Sequence, residues 1–142
     1  MNEKWNNRFL YLAKHISQWS KDPSTQVGAV IVDENGSIVS MGYNGLARGV
    51  EDSDERLNNR ELKYKMIVHA ERNAIIFARK DLRGHTIYTW PFMPCAVCAS
   101  MIIQAGINEV VSVRGEPNPR WEEDFKITEQ MFEEAGVKLT LL

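Results

Sequence analysis

The chain holds two cysteines, Cys95 and Cys98, one helical turn apart, and His69-Ala70-Glu71 stands upstream of them. Zinc that activates a water takes three protein ligands and leaves a fourth position open. His69, Cys95 and Cys98 fill three positions, and Glu71 remains as a carboxylate outside the ligand set. For one ion to be held, two segments distant in sequence must meet, each opening a helix. Cys95 and Cys98 then face the same side of one turn. A helix N-terminus, with free N–H groups and partial positive charge, favours thiolate over thiol. Other readings of the pair stand beside this one. The thiols could be incidental and buried. A disulfide is out of place in a reducing compartment. A redox Cys-x-x-Cys would be expected after the first strand, whereas this pair comes late.

The rest of the chain suits such an arrangement. At 142 residues it is expected to form one domain, residues 1–142, with a core of its own. Apolar residues make up 44% and charged residues 25%, as in ordinary globular chains. No apolar run reaches the roughly 20 residues that span a bilayer, so no membrane role is expected. Met1-Asn2-Glu3-Lys4-Trp5 lacks the apolar core of a secretory signal, and a cytoplasmic location is the default. A net charge of −2 argues against a nucleic-acid partner. A small anionic substrate needs only a few local cations.

Trp5, Phe9, Leu12, Ile16 and Trp19 recur at helical spacing and predict an amphipathic helix over 5–19, with His15 beside the stripe as an ordinary helical histidine. Asp22-Pro23 breaks it. Val27 to Val32 reads as a buried strand, Asp33-Glu34-Asn35-Gly36 as a hairpin turn, and Ile38 to Tyr43 as the returning strand. Residues 46–64 are polar and irregular, with helical promise only at 60–66. A loop this long in a compact chain is functional, disordered or an interface. A helix from His69 to about Lys80, with Gly84 as its cap, precedes a third strand over 86–90. A helix from Cys95 to Ala105 and a fourth strand over 109–113 follow. A helix over 121–135, closed by Gly136, and a last strand over 137–142 complete the chain. The expected fold is α/β: a three-layer α-β-α sandwich, with a five-stranded mixed sheet and helices on both faces.

The spacing His-x-Glu…Pro-Cys-x-x-Cys is a signature of zinc-dependent nucleobase deaminases. Zinc lowers the pKa of a bound water from about 15.7 towards 7. Thiolate ligands weaken that effect, so a base is needed, and Glu71 is the candidate. It would take the water's proton, pass it to a ring nitrogen, and later protonate the departing amine. A zinc site that only holds the fold would need a fourth protein ligand. The remaining histidines, His15 and His85, sit in unrelated contexts.

Beyond these residues, the chain resembles the deoxycytidylate (dCMP) deaminase family over roughly residues 5–113. The resemblance runs through Ser20-Lys21-Asp22-Pro23-Ser24-Thr25-Gln26-Val27-Gly28-Ala29, Gly42-Tyr43-Asn44-Gly45 with Arg48-Gly49, and Met101-Ile102-Ile103-Gln104-Ala105-Gly106-Ile107. It implies the cytidine-deaminase-like fold, one catalytic zinc per chain, and hydrolysis of dCMP to dUMP and ammonia. It also implies a homo-oligomer, often a hexamer, and in many members control by dCTP and dTTP with Mg2+. By the same resemblance Asn44 contacts the substrate, the Ala70 N–H meets the pyrimidine carbonyl, and Thr25 and Val27 lie at the substrate. Lys21 and Arg48 are the cations nearest the matching segments and so the candidates for phosphate.

Two departures stand out. Arg114-Gly115-Glu116-Pro117-Asn118-Pro119-Arg120-Trp121 lacks the tyrosine-containing stretch expected of the family, which leaves Trp121 or Phe125 to cap the base, with the core the preferred place for Phe125. The 46–64 insert lacks the Cys and His that some members use for a second zinc. Within the superfamily the alternative substrates are a nucleoside, a free base or a tRNA adenosine. A different class altogether would be a non-catalytic zinc- or nucleotide-binding sensor.

Overall fold

The computed structural model describes residues 1–142. Its main sheet has five strands in the order β2-β1-β5-β6-β7: β1 (Gly28–Val32), β2 (Ile38–Tyr43), β5 (Thr86–Trp90), β6 (Glu109–Ser112) and β7 (Lys138–Leu141). β1 is antiparallel to both β2 and β5, while β5, β6 and β7 run parallel. This is the expected mixed sheet.

Successive strand residues point to opposite faces, so a strand covered on both sides reads as unbroken apolar sequence. Ala29, Ile31, Ile87 and Val110 enter one core, and Val30, Val32, Tyr88 and Val111 the other. The second face is covered by α1 (Glu3–Ser17). The first is covered by α4 (Ala70–Ala78) and α5 (Ala96–Gln104), and Phe132 of α6 (Pro119–Ala135) joins the same cluster.

Two glycines set how closely helices approach the sheet. A Cβ on Gly28 would stand 2.0 Å from the Ala13 carbonyl oxygen of α1, and one on Gly42 would stand 2.4 Å from the Ala70 carbonyl oxygen of α4. Gly42 therefore lets the start of α4 rest directly on β2.

α1 differs from expectation in its rotation. Its buried face comprises Asn6, Phe9, Leu10, Ala13, Ile16 and Ser17, whereas Trp5 and Trp19 are 41% and 53% exposed. The small residues fit the close approach at Gly28. Asn6 is buried because its Oδ1 accepts from the Tyr88 hydroxyl at 2.8 Å, satisfying a group that would otherwise be buried unpaired.

The insert is also more ordered than its composition suggests. It contains α2 (Asp54–Asn58) and α3 (Arg60–Met66), each capped by a side chain, Ser53 and Asn59. A two-stranded ladder of β3 (Gly45–Leu46) with β4 (Ile67–Val68) pins its two ends together. α4 stops earlier than expected, at Ala78, with Arg79 in the left-handed conformation; Gly84 lies in the following turn.

Candidate active site

α4 and α5 begin side by side, and each is preceded by a candidate metal-ligand residue. His69 is the N-cap of α4 and Cys95 the N-cap of α5, in extended backbone, and neither side chain caps its helix. Cys98 follows one turn into α5. The His69 Nδ1 lies 3.3 Å from Cys98 Sγ and 3.6 Å from Cys95 Sγ, and the ligand atoms of all three residues fall within 4.8 Å of one another. Zinc bonds of about 2.3 Å to sulfur and 2.0–2.1 Å to nitrogen, at tetrahedral angles, require N···S separations of about 3.5 Å. The donor set and spacing therefore fit zinc. With three protein donors, a fourth position is free for water or substrate.

The thiols titrate as a linked pair. Hydrogen bonding from Cys98 draws Cys95 down to about 4, against the opposing effect of burial, with a smaller pull from His69. The same interaction, together with burial, pushes Cys98 up. Glu71, 4% exposed, stands behind them at the second position of α4. Burial, then the Cys95 charge, raises its carboxyl above the usual range, against the pull of His69. A carboxylate raised in this way is better suited to accept and return a proton near neutrality.

Cys98 is fully buried, while Glu71 and Cys95 open onto a cavity of about 440 Å³. His69, Ala70, Glu71 and Cys95 form its floor. Thr25, Val27 and Asn44 form one wall, Arg60, Lys63 and Tyr64 of α3 another, and Phe92, Arg120, Trp121 and Phe125 a third. Asn44 is almost fully buried. Its Oδ1 accepts from the Val27 N–H at 2.9 Å, and its Nδ2 donates to the Thr25 carbonyl at 2.9 Å and to Asp22 Oδ2 at 3.4 Å. Its Oδ1 keeps one lone pair without a protein partner. Its larger work is to shape the 22–27 loop.

The cations differ from the sequence expectation. Lys21, with its side chain 71% exposed, pairs with Asp52 at 2.9 Å, and Arg48 stacks over Phe77 at 5.6 Å; neither lines the cavity. The cavity cations come instead from the insert and from α6. Arg60 and Arg120 lie 5.8 and 5.3 Å from the Tyr64 ring, and Arg120 also lies 5.3 Å from Trp121. Lys63 is buried against Asp22 at 3.0 Å. Arg60, Lys63 and Arg120 lie outside the short motifs that carry the resemblance, so those motifs do not point to them. A basic and aromatic cluster at 60–64 and a second at 120–121 were the available signals. Phe125, expected in the core, is half-buried, lines the cavity and packs on Phe92 with ring centroids 5.9 Å apart.

A three-layer α/β fold with a His-Cys-Cys centre at two helix N-termini, and a free carboxylate beside it, defines a zinc-type hydrolase site. Known proteins agree with that class. The family described as the cytidine and deoxycytidylate deaminase zinc-binding region matches residues 3–114. An uncharacterised deaminase from the luxG 3′ region of Aliivibrio fischeri is 46% identical, over 100% of this chain and 96% of that one. The human deoxycytidylate deaminase is 41% identical, over 76% of this chain and 64% of its own length. The probable deoxycytidylate deaminase of Caenorhabditis elegans is 42% identical, over 93% of this chain and 66% of its own. The chain thus spans about two thirds of the length of these two deoxycytidylate deaminases. In fold it matches the dCMP deaminase of cyanophage S-TIM5, solved with dCMP and dUMP, with a TM-score of 0.79 over 100% of this chain and 99% of that one, at 24% identity. The chain belongs to the cytidine and deoxycytidylate deaminase zinc-binding family.

Proposed function

We propose that the chain hydrolyses dCMP to dUMP and ammonia as a one-domain enzyme, with one zinc held by His69, Cys95 and Cys98 and with Glu71 as its proton carrier. The observation that carries this reading is the buried Glu71 carboxylate, which lines one cavity with His69 and Cys95, beside the three-donor cluster, and is not one of the donors. Zinc supplies Lewis acidity that makes water nucleophilic near neutral pH. Glu71 takes one proton from the attacking water and delivers it to N3 of the pyrimidine as the hydroxyl oxygen bonds to C4. It then carries the hydroxyl proton to the amino group. The C4–N bond breaks, ammonia leaves, and C4 keeps its oxygen as a carbonyl. Ala70 opens α4, and its N–H, free of an intrahelical partner, donates to the pyrimidine carbonyl. Trp121 and Phe125 cover the base, with Thr25, Val27 and Asn44 opposite.

For the phosphate, Arg60 and Arg120 replace Lys21 and Arg48 as the proposed partners, since they line the cavity. Support for a homo-oligomer comes from the outer faces of α4 and α5, where Ile76 is 60% and Val97 55% exposed beside Phe77 and Met101. The hexameric count, and control by dCTP and dTTP with Mg2+, rest on the family resemblance alone. No helix is long and apolar enough to cross a membrane. The thiol ligands suit a reducing cytoplasm. Ammonia release from dCMP, CMP, deoxycytidine, cytosine and adenosine, with and without a chelator, tests the reading. Zinc-dependent release should be fastest from dCMP, and faster release from a free base or nucleoside would overturn the nucleotide assignment.

A further inference from the structure

A helix normally begins with a side-chain oxygen that accepts from its first N–H groups. Cys95 occupies that position on α5 with a thiol turned towards His69, and supplies no such bond. An acceptor comes from α6 for a different one of these N–H groups: Asp124 Oδ2 accepts from the N–H of Ala96, the first residue of α5, at 2.9 Å. One turn further along α6, the fully buried Thr128 hydroxyl donates to the Pro94 carbonyl at 3.0 Å. The peptides on either side of Cys95 are therefore both tied to α6, by two side chains on one helical face. Trp121 and Phe125, also one turn apart on α6, line the cavity. One helix thus presents one face to the ligand-bearing turn and an adjacent face to the substrate space.

We propose that Asp124, seconded by Thr128, is a positioning residue for the metal centre: it holds the Cys95 turn so that the thiolate points at the ion. This rests on the assignment of His69, Cys95 and Cys98 as zinc ligands. The contact does more than cap a helix, because the capped N–H follows a ligand directly and the preceding carbonyl is held by the same helix. Movement of either peptide rotates the Cys95 side chain. The thiolate must stay within a few tenths of an ångström of its place to bond the metal.

The test separates geometry from charge. In Asp124→Asn, an amide oxygen can still accept from Ala96, but the charge is gone. In Asp124→Ala, both are lost. Thr128→Val keeps the shape and removes the donor. Zinc affinity is read by chelator competition, below the unfolding temperature of each variant. Ligand geometry is read from the thiolate-to-metal and ligand-field bands of the cobalt-substituted protein. Asp124→Ala should bind zinc about 10- to 100-fold more weakly with shifted cobalt bands, Thr128→Val should move both readouts the same way, and Asp124→Asn should stay near wild type. Wild-type affinity and bands in Asp124→Ala would overturn the proposal, and so would an equal loss in Asp124→Asn, which would make the effect one of charge. Failure of the zinc assignment looks different: the wild-type protein itself would show no thiolate-to-cobalt band.

Discussion

Glu71 combines two demands that conflict. The proposed chemistry needs a carboxylate that takes up and returns a proton, and burial, with the charge of Cys95, raises the carboxyl's pKa in that direction. The same shift makes the ionised group a burden on the fold. Below the ordinary carboxylate range, Glu71 is protonated in both the folded and unfolded chain and carries no penalty. As pH rises towards the raised folded value, the unfolded chain releases its proton first, and stability falls. Metal-free Glu71→Gln should therefore melt above metal-free wild type at pH 7, with the gap closing below about pH 4. Thermal melts of the chelated proteins across pH check this, and a lower melting temperature for the variant at pH 7 would contradict it. Arg60 and Arg120 make a separate prediction. Each charge-assisted bond to a phosphate contributes about 1.5–3 kcal/mol, so Arg60→Ala or Arg120→Ala should raise KM for dCMP about tenfold or more and leave deoxycytidine turnover nearly unchanged. Equal losses on both substrates would place the guanidinium groups elsewhere in the chemistry.

Among the elements, the insert changes most between sequence and structure. Its polar composition hides α2, while α3 falls on the 60–66 stretch that showed helical promise; much of what orders the insert is long-range, the β3–β4 ladder and the ion pair of Lys63 with Asp22. That pair is buried, and Asp22 also accepts from the Ser24 and Thr25 N–H groups. Lys63→Ala leaves the carboxylate buried without its cation and should cost about 3–5 kcal/mol. Denaturant unfolding measures it, and a cost below 1 kcal/mol would mean the insert is not fastened there. The strands were legible because burial on both faces writes itself as continuous β-branched sequence, as in Val30-Ile31-Val32. α1 was legible as a helix but not in its rotation. The large apolar Trp5 and Trp19 suggested one face, while Gly28 and Tyr88 select another through Ala13 and Asn6. The metal donors were legible because few residue types bind zinc and their spacing is fixed. The cavity cations were not, since an arginine's surroundings depend on where its helix lands.

For the molecule as a whole, the sheet and its two helical layers bring one histidine, two cysteines and one glutamate from distant segments into a single corner, with Cys98 and Glu71 buried and His69 and Cys95 half-buried. The exposed apolar faces of α4 and α5 lie on the same helices as that corner. A charged substitution there, Val97→Glu, should shift the sedimentation profile to smaller species, and an unchanged profile would remove those faces from the interface. On the function proposed above, this corner is a catalytic centre and not a structural zinc site. The most direct test of that assignment is dUMP formation from dCMP by zinc-loaded wild type and zinc-loaded Glu71→Gln, with metal content measured on the same samples. Wild type should turn over with one zinc per chain, and the variant should keep its zinc and lose about 10²- to 10⁴-fold in rate. A zinc-loaded Glu71→Gln that forms dUMP at the wild-type rate would contradict the account.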